Sequence, residues 1–229
     1  MPSGCTLVMD TSSSPLLLAL EKEGKIYVAR RKGIKQEKLL FPLLRRLLAK
    51  AQADLPSVSR ILIVRGPGRF TGIRIALTFA SMMQMLARTQ ICGVTLFEVL
   101  RTQVMASRAY KTWKKQHPSG ALAVVLHAFR EEYFLQIFDD AQGAPQWLER
   151  EELLACLAGY PGLLFVAGTD KDFAPLVGLL GSSYTLAPYP TCRVQAKTLV
   201  RMAQAQTGAK NTLEPLYLKP ARFELMEGK

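Results

Sequence analysis

The segment from Ile61 to Arg74, ILIVRGPGRFTGIR, constrains the fold more than any other part of the chain. Its first four residues are an unbroken aliphatic run, which is typical of a strand covered on both faces. The glycines of Gly66–Gly68 then indicate a tight turn, and Thr71 predicts the N-cap of a long apolar helix ending near Arg88. We therefore predict a strand, a glycine loop and a helix N-terminus in succession.

This order of elements can hold an anion, because unpaired N–H groups and the positive end of the helix dipole point into such a loop. The glycines also have a purely structural explanation, since each can supply a positive φ for the turn. The loop lacks the Lys-Ser/Thr ending of a P-loop and the GxGxxG spacing of a dinucleotide fold. Spacing alone therefore leaves both explanations open.

The pattern of the whole chain predicts two similar halves. Strands are predicted at Thr6–Asp10, Leu16–Glu21, Lys25–Arg30, Ile61–Val64 and Gln90–Val94, and helices near residues 36–53, 71–88 and 95–107. The polar, basic segment Tyr110–Gly120 is interpreted as a linker. The pattern begins again at Ala121, so we predict an α/β fold with two βββαβα-type lobes and mixed sheets. The lobes are residues 1–109 and 121–229, and the second ends with a helix over 194–207.

Composition indicates a folded protein, with 49% hydrophobic and 21% charged residues. No stretch reaches about 18 uncharged apolar residues, which predicts no membrane span. Asp10 interrupts the first apolar run too early for a signal peptide, so we predict a cytoplasmic location. Scattered cysteines predict buried free thiols rather than disulfides. His117 and His127 lie in no metal-binding pattern, so neither a metal nor a cofactor is predicted.

The net charge of +12 is unevenly distributed. Residues 1–115 contain 20 Lys/Arg and 6 Asp/Glu, whereas residues 116–229 contain 10 and 12. Such an excess favours a polyanion or an acidic protein as a partner, although solvated helix faces produce the same totals. Contact with nucleic acid is therefore one of two open interpretations.

At the glycine loop the chain resembles a known family. Gly66–Arg74, GPGRFTGIR, is similar to the G-P-G-S-F-T-G-[LIV]-R signature of the TsaB (YeaZ) family, which serves in bacterial synthesis of threonylcarbamoyladenosine on tRNA. Arg69 stands where that family usually has Ser. Leu7–Ser14 (LVMDTSSS) resembles its opening I-D-T-S-T-S, and Pro215–Pro220 (PLYLKP) resembles its closing P-x-Y-L-R. The resemblance implies an actin-like ATPase (ASKHA) fold.

The chain departs from the family pattern at two further places. Lys35–Pro42 lacks the histidine of the family's H-S-E-x-L-L-P, and His127 stands where an acid is expected before Ala128–Tyr133. In actin-like ATPases, an acid on the first strand, a glycine in the next hairpin and a second acid in the other lobe form the site. Here the hairpin after Asp10 has no glycine, so we expect no independent nucleotide hydrolysis. The residues predicted for a vestigial phosphate site are Asp10, Thr11, Ser12, Gly66, Gly68, Thr71 and Gly72.

The resemblance also implies a division of labour between subunits. In the family, the related subunit TsaD carries the metal-binding histidines and transfers threonylcarbamoyl to adenosine, while TsaB holds TsaD and recruits the ATPase TsaE. The H-x-E-G-H type motif of TsaD is absent from this sequence. We therefore predict a platform subunit without catalytic residues, bound to TsaD-like and TsaE-like partners. It contacts tRNA indirectly or through its basic first half. The sequence leaves open whether it also forms a homodimer when alone.

The long helix that follows the glycine loop supports a platform role independently. From Ile73 it reads IRIALTFASMMQMLAR, with apolar side chains around more than one face. A methionine-rich surface suits an adaptable protein interface, although burial of this helix between a sheet and other helices would give the same pattern. The predicted partner interface comprises Leu40, Leu44, Leu47, Ile75, Phe79, Met82, Met83, Met85 and Leu86.

Two other functions are compatible with the sequence. The first is a small actin-like ATP-dependent phosphotransferase that uses Asp10 and the Gly66–Gly72 loop. The second is a basic tRNA-binding module that acts alone, whose affinity would fall steeply with salt. A peptidase has no support, because no set of nucleophile, base and orienting residue is recognisable. We favour the platform subunit.

Overall fold

The computed structural model describes residues 4–33, 36–139, 143–169, 173–205 and 213–219. These residues form two compact units whose boundaries differ from those of the predicted lobes. Unit 1 draws on Met1–Leu96 and Gln195–Leu216, and unit 2 draws on Phe97–Val194 and Tyr217–Lys229. The predicted terminal helix therefore belongs to the first unit and not to the second lobe.

Unit 1 contains a five-stranded mixed sheet among the described residues. Its strand order is β3-β2-β1-β4-β5, in which β1 runs antiparallel to β2 and parallel to β4. The central position of β1 follows from its sequence, because CTLVMD is almost continuously apolar and buried on both faces. The elements of the unit are β1 (Cys5–Asp10), β2 (Leu16–Lys22), β3 (Lys25–Arg31), α1 (Gln36–Lys50), β4 (Val58–Val64), α2 (Phe70–Ala87), β5 (Gln90–Val94) and a helix over Ala196–Ala205.

Helices cover the two faces of this sheet. On one face, α1 and α2 pack their buried side chains against Leu7 and Met9 of β1 and against Ile61 of β4. Arg60 precedes Ile61 and so points to the other face, where its Nη1 donates to the carbonyl of Ala203 at 3.1 Å. The helix that carries Ala203 therefore packs on the side of the sheet opposite α1 and α2.

Unit 2 repeats this topology with a different sequence. After α3 (Leu96–Met105), which begins at the boundary, its elements are α4 (Arg108–Gln116), β6 (Ala121–His127), β7 (Glu132–Phe138), β8 (Gln146–Glu149), α5 (Arg150–Ala158), β9 (Leu164–Ala167), α6 (Phe173–Leu180), β10 (Thr185–Leu186) and α7 (Tyr189–Cys192). Ala196–Ala205 is accordingly α8. The sheet order β8-β7-β6-β9-β10 matches that of unit 1, and the predicted α/β fold with two similar mixed-sheet lobes is confirmed.

The predicted linker over Tyr110–Gly120 is wrong, because most of this segment forms α4. The Ser107 side chain caps the helix by accepting a hydrogen bond from the Tyr110 N–H at 3.2 Å. Tyr110 and Trp113 are buried, and both rings lie 5.3 Å from the ring of Phe165 on β9. A Cβ on Gly120 would approach the Trp113 ring to 2.4 Å, so the glycine makes room for the indole.

Shorter features differ in detail. The sequence pattern did not predict β10 and α7, which have two and four residues. Lys35, Gln142 of a predicted turn, and Pro220 lie outside the described residues. The predicted free thiols are confirmed, with all but the half-buried Cys156 fully buried. Burial raises the pKa of the Cys92 thiol and so favours its unreactive protonated form, while the positive charge of Arg60 acts in the opposite direction and is the smaller effect.

Helix α2 is long enough and apolar enough to cross a membrane, judged by length and composition alone. The helix contains one charged residue, Arg74. The prediction that no stretch of about 18 residues is both apolar and uncharged therefore still holds. In the described structure 39% of the helix is buried, and Ile73, Phe79 and Met83 belong to the core of unit 1. Core helices of this kind pass the same test, so it is weak evidence for a membrane span.

We expect Trp113→Ala to lower the free energy of unfolding by about 3 kcal/mol, because it removes a buried aromatic side chain from the packing between α4 and β9. Thr112→Ala on the exposed face of the same helix is the matched control and should change it by less than about 0.5 kcal/mol. Urea unfolding measures both. Equal effects of the two substitutions would contradict a packed α4.

Candidate functional site

The glycine loop is fixed at both of its ends by backbone hydrogen bonds. The Arg65 N–H donates to the Val94 carbonyl at 2.8 Å, and the Leu96 N–H donates to the Gly66 carbonyl at 2.7 Å. From the other side, the Leu216 N–H donates to the Arg65 carbonyl at 2.8 Å. Gly66 has φ +115°, and a Cβ there would lie 2.9 Å from the Leu216 oxygen. The extended segment near Leu216 therefore fits only against a glycine.

The loop lies directly against the turn between β1 and β2. The Arg69 N–H donates to the Ser12 carbonyl at 2.7 Å, and a Cβ on Gly68 would approach that same oxygen to 2.3 Å. Thr11 Oγ1 donates to the carbonyl of Gly72 at 2.7 Å. The structure thus brings Thr11, Ser12, Gly68 and Gly72 together, as the vestigial phosphate site predicted, but with the two loops in contact.

The carboxylate of Asp10 is fully buried and occupied by its own turn. Its Oδ1 accepts from the Ser12 N–H at 3.0 Å, from Ser12 Oγ at 2.7 Å and from the Ser13 N–H at 3.3 Å. Its Oδ2 accepts from Ser13 Oγ at 2.5 Å. A metal ion or phosphate at Asp10 would have to displace these donors. The arrangement is that of a turn former, and it argues against a phosphotransferase based on Asp10.

The N-terminus of α2 differs from the prediction. The helix begins at Phe70, and its N-cap is Arg69, which makes no side-chain capping bond. Thr71 is exposed within the first turn, so its predicted role as the N-cap is wrong. The backbone N–H of Arg69 is already bonded to Ser12, while its Nη1 donates to the carbonyl of Gly33 at 3.3 Å. Arg69 therefore ties the loop to the residues after β3.

His127 ends β6 in unit 2, at the position that Asp10 has at the end of β1. Its Nε2 lies 2.6 Å from the carbonyl oxygen of Arg130, within the turn that leads to β7. The imidazole also meets the ring of Tyr133 edge-on, with 5.5 Å between the ring centroids. The histidine that replaces the family's acid is thus engaged in its own hairpin.

Burial corrects the predicted partner interface, since five of its members are core residues. They line the buried stripes of α1 and α2, which face the sheet, and Ile75 is half-buried beside them. Leucine spacing identifies the apolar stripe of a helix without telling whether a sheet or a partner covers it. The five core residues are Leu40, Leu44, Leu47, Phe79 and Met83.

Three other members of the predicted interface are exposed, together with two aromatic residues that were not predicted. Met82, Met85 and Leu86 are 38%, 83% and 79% exposed. Phe41 on α1 and Phe70 at the start of α2 are also exposed and were not predicted. Their signal was present in the sequence, because each is an aromatic residue off the buried stripe of its helix. We call these five residues the α1–α2 face.

Two grooves border this face, and Phe41 lines both of them. The first, of about 460 Å³, runs between Phe70, Arg74 and Met82. The second, of about 410 Å³, lies between Pro42 and Leu55 on the far side of Phe41. The Phe41 ring meets the buried Phe79 edge-on at 6.1 Å, and the Arg74 guanidinium stacks 3.9 Å from the Phe70 ring. These contacts hold both exposed rings in place.

The charged residues of α2 are all basic, and those of α1 are basic apart from Glu37. No acidic residue occurs from Leu55 to Phe97, a stretch that includes all of α2. Exposed cations accompany the apolar side chains on both helices, namely Lys38, Arg45, Arg46, Lys50, Arg74 and Arg88. A complementary surface would therefore be apolar in its centre and acidic at its rim.

The chain is similar to proteins of tRNA modification. Residues 34–135, under half of the chain, match the family model described as TsaD: tRNA N6-adenosine threonylcarbamoyltransferase. The tRNA threonylcarbamoyladenosine biosynthesis protein TsaB of Buchnera aphidicola subsp. Schizaphis graminum is 27% identical over 115 residues, which are 50% of this chain and 52% of that protein. TsaB of Escherichia coli K12 is 23% identical over 149 residues, 65% of this chain and 61% of that protein. The chain thus spans between half and two thirds of the length of these relatives.

The fold has a counterpart among solved structures. YeaZ from Pseudomonas aeruginosa superposes with a TM-score of 0.69 at 20% identity, over 94% of this chain and 100% of that protein. This likeness extends over both units and agrees with the predicted α/β fold of two similar mixed-sheet lobes. At this level of identity, the superposition concerns the fold alone.

We expect Asp10→Ala to lower the free energy of unfolding by about 3 kcal/mol, because the buried donors of Ser12 and the half-buried donors of Ser13 lose this acceptor. Ser13→Ala removes the hydroxyl donor to Oδ2 but keeps the Ser13 N–H and the carboxylate, and it should cost about 1 kcal/mol. Urea denaturation compares the two variants. A stability unchanged by Asp10→Ala would show that the carboxylate does not hold the turn together.

Proposed function

Because this chain belongs to the TsaB (YeaZ) family, we propose that it takes part in the synthesis of threonylcarbamoyladenosine on tRNA. Within that process we propose a non-catalytic platform: the chain holds a TsaD-like subunit, which performs the transfer, and recruits a TsaE-like ATPase. The proposal also includes a cytoplasmic location.

The observation that carries this proposal is the α1–α2 face. Met85 and Leu86 expose most of their surface. The rings of Phe41 and Phe70 are also exposed, and contacts with neighbouring side chains hold them in place. Burying such a side chain contributes about 1.5 to 3 kcal/mol, so the face can supply much of the affinity for a partner. Aromatic and methionine side chains are also enriched in the centres of protein interfaces.

The matched family model suggests how a TsaD-like partner would meet this face. The match over residues 34–135 includes α1 and α2, so a TsaD-like protein would carry a related pair of helices. Two related surfaces can pair around an approximate two-fold axis, with helix packed on helix. The same geometry would let two copies of this chain pair when the partner is missing.

The vestigial phosphate site supports the non-catalytic part of the proposal. Asp10 is buried beneath its own turn, and the Arg69 N–H at the start of α2 is bonded to Ser12. Neither group is available to a nucleotide without opening the contact between the two loops. ATP turnover in the complex would then come from the TsaE-like protein.

We expect Met85→Glu, alone or with Met82→Glu, to reduce co-purification of the TsaD-like subunit from the same organism at least about 10-fold, because it places a charge in a desolvated apolar contact. Leu163→Glu, at an exposed apolar position in unit 2, is the matched control and should leave co-purification unchanged. Size-exclusion chromatography with quantified band ratios gives the readout. Unchanged pairing by both methionine variants would exclude this face as the interface.

The platform role itself is tested with the three purified proteins. We expect a stable pair with the TsaD-like subunit, further association of the TsaE-like protein in the presence of ATP, and no ATP turnover by this chain alone. Turnover by the chain that is abolished by Asp10→Ala would contradict the proposal and favour the phosphotransferase.

A further inference from the structure

Among the described residues, helix α4 packs on unit 2 through the face that carries its two buried aromatic rings. Its inner face consists of Tyr110 and Trp113, whose rings pack against Phe165. Lys114 lies at the side of the helix, where its Nζ donates to the Gly120 carbonyl at 2.6 Å. These contacts fix the rotation of the helix about its own axis, so the direction of its outer face is determined as well.

The outer face carries a row of cations. Arg108, Lys111 and Lys115 are all exposed, and at 100° per residue they fall within about 60° of the helix circumference. Along the helix axis, Arg108 and Lys111 are about 4.5 Å apart and Lys111 and Lys115 about 6 Å apart. The exposed Thr112 lies beside this sector, about 40° from Arg108 around the helix. No hydrogen bond or ion pair within the described residues engages these three side chains. We call them the α4 stripe.

We propose that the α4 stripe binds the sugar–phosphate backbone of RNA. The inference rests on the proposed function, which makes tRNA the substrate of the complex, and it assigns to this chain a direct contact with that tRNA. Three aligned cations on one rigid helix match a row of phosphates, and the Thr112 hydroxyl is a further donor at the same surface.

The surroundings of the stripe favour a polyanion. No acidic residue occurs from Val99 to Arg130, so α4 and the segments on either side of it contain no carboxylate to neutralise the stripe. Unlike the basic residues that neighbour the α1–α2 face, the stripe has no exposed large apolar side chain beside it on its own helix. A protein interface needs apolar or aromatic anchors in its centre, whereas phosphate binding needs only cations and hydrogen-bond donors.

The test measures binding of the full chain to a labelled, unmodified tRNA transcript. The stripe variant combines Arg108→Gln, Lys111→Gln and Lys115→Gln. The control variant removes the same charge from three exposed cations outside α4, through Arg193→Gln, Lys197→Gln and Arg201→Gln. All six side chains are exposed, so both variants should fold, and circular dichroism with thermal melting verifies this.

We expect the stripe variant to bind tRNA at least roughly 10-fold more weakly than the unaltered chain at about 50 mM salt. The slope of log affinity against log salt concentration should also become shallower by about 2 to 3, one counterion for each lost phosphate contact. The control variant should keep most of the affinity.

Three results would overturn the proposal: absence of tRNA binding by the unaltered chain, equal loss in both variants, or unchanged binding by the stripe variant. A stripe variant that binds tRNA normally but loses the TsaD-like or TsaE-like protein would identify the stripe as a protein surface instead.

Pairing with the TsaD-like subunit is measured on the same samples and separates this inference from the platform function. Normal pairing with unchanged tRNA affinity refutes the stripe alone. If the unaltered chain does not pair with the TsaD-like subunit, the platform function is refuted, whatever the tRNA affinity.

Discussion

The contact between the glycine loop and the β1–β2 turn determines where α2 begins and therefore where its exposed side chains lie. The Ser12 carbonyl accepts from the Arg69 N–H at 2.7 Å and leaves no room for a Cβ on Gly68. Since Arg69 is the N-cap of α2, this one oxygen sets where the helix starts relative to β1. The exposed side chains of α2 therefore depend on a turn that the sequence alone presents as a phosphate site.

The central strands β1 and β6 both end in a polar residue, Asp10 and His127, whose side chain forms hydrogen bonds within the turn that follows. Asp10 satisfies N–H and hydroxyl groups of its own turn, and the His127 ring contacts the Arg130 carbonyl in the equivalent hairpin of unit 2. Both groups are therefore occupied by local hydrogen bonds. Among the described residues, two exposed surfaces can bind a partner: the apolar face on α1 and α2 and the row of cations on α4.

The sequence predicted most of the fold because its strands are continuous or alternating apolar runs, and the strand order repeats between the units. The prediction was wrong at α4, where the basic composition was interpreted as a linker. The signals of a helix were a Ser at position 107 that caps it and two aromatic residues, Tyr110 and Trp113, at helical spacing. The sequence placed Gly68 and Ser12 at one site but could not show that the loops touch. It also could not separate Met83, which faces the sheet, from Met82, which faces solvent, because helical periodicity does not define the direction of a stripe.

Charge distinguishes the two ways in which the α1–α2 face could be covered. From Leu55 to Arg130 the chain contains eleven Lys/Arg and one acidic residue, Glu98. Self-pairing through the α1–α2 face would bring Arg74 and Arg88 of two copies towards each other, and like charges across an interface oppose association. Salt screens that repulsion, so self-association should strengthen as ionic strength rises. A heteromeric partner with an acidic rim would gain from the same cations and weaken with salt, so the electrostatics of this face favour a partner over a second copy.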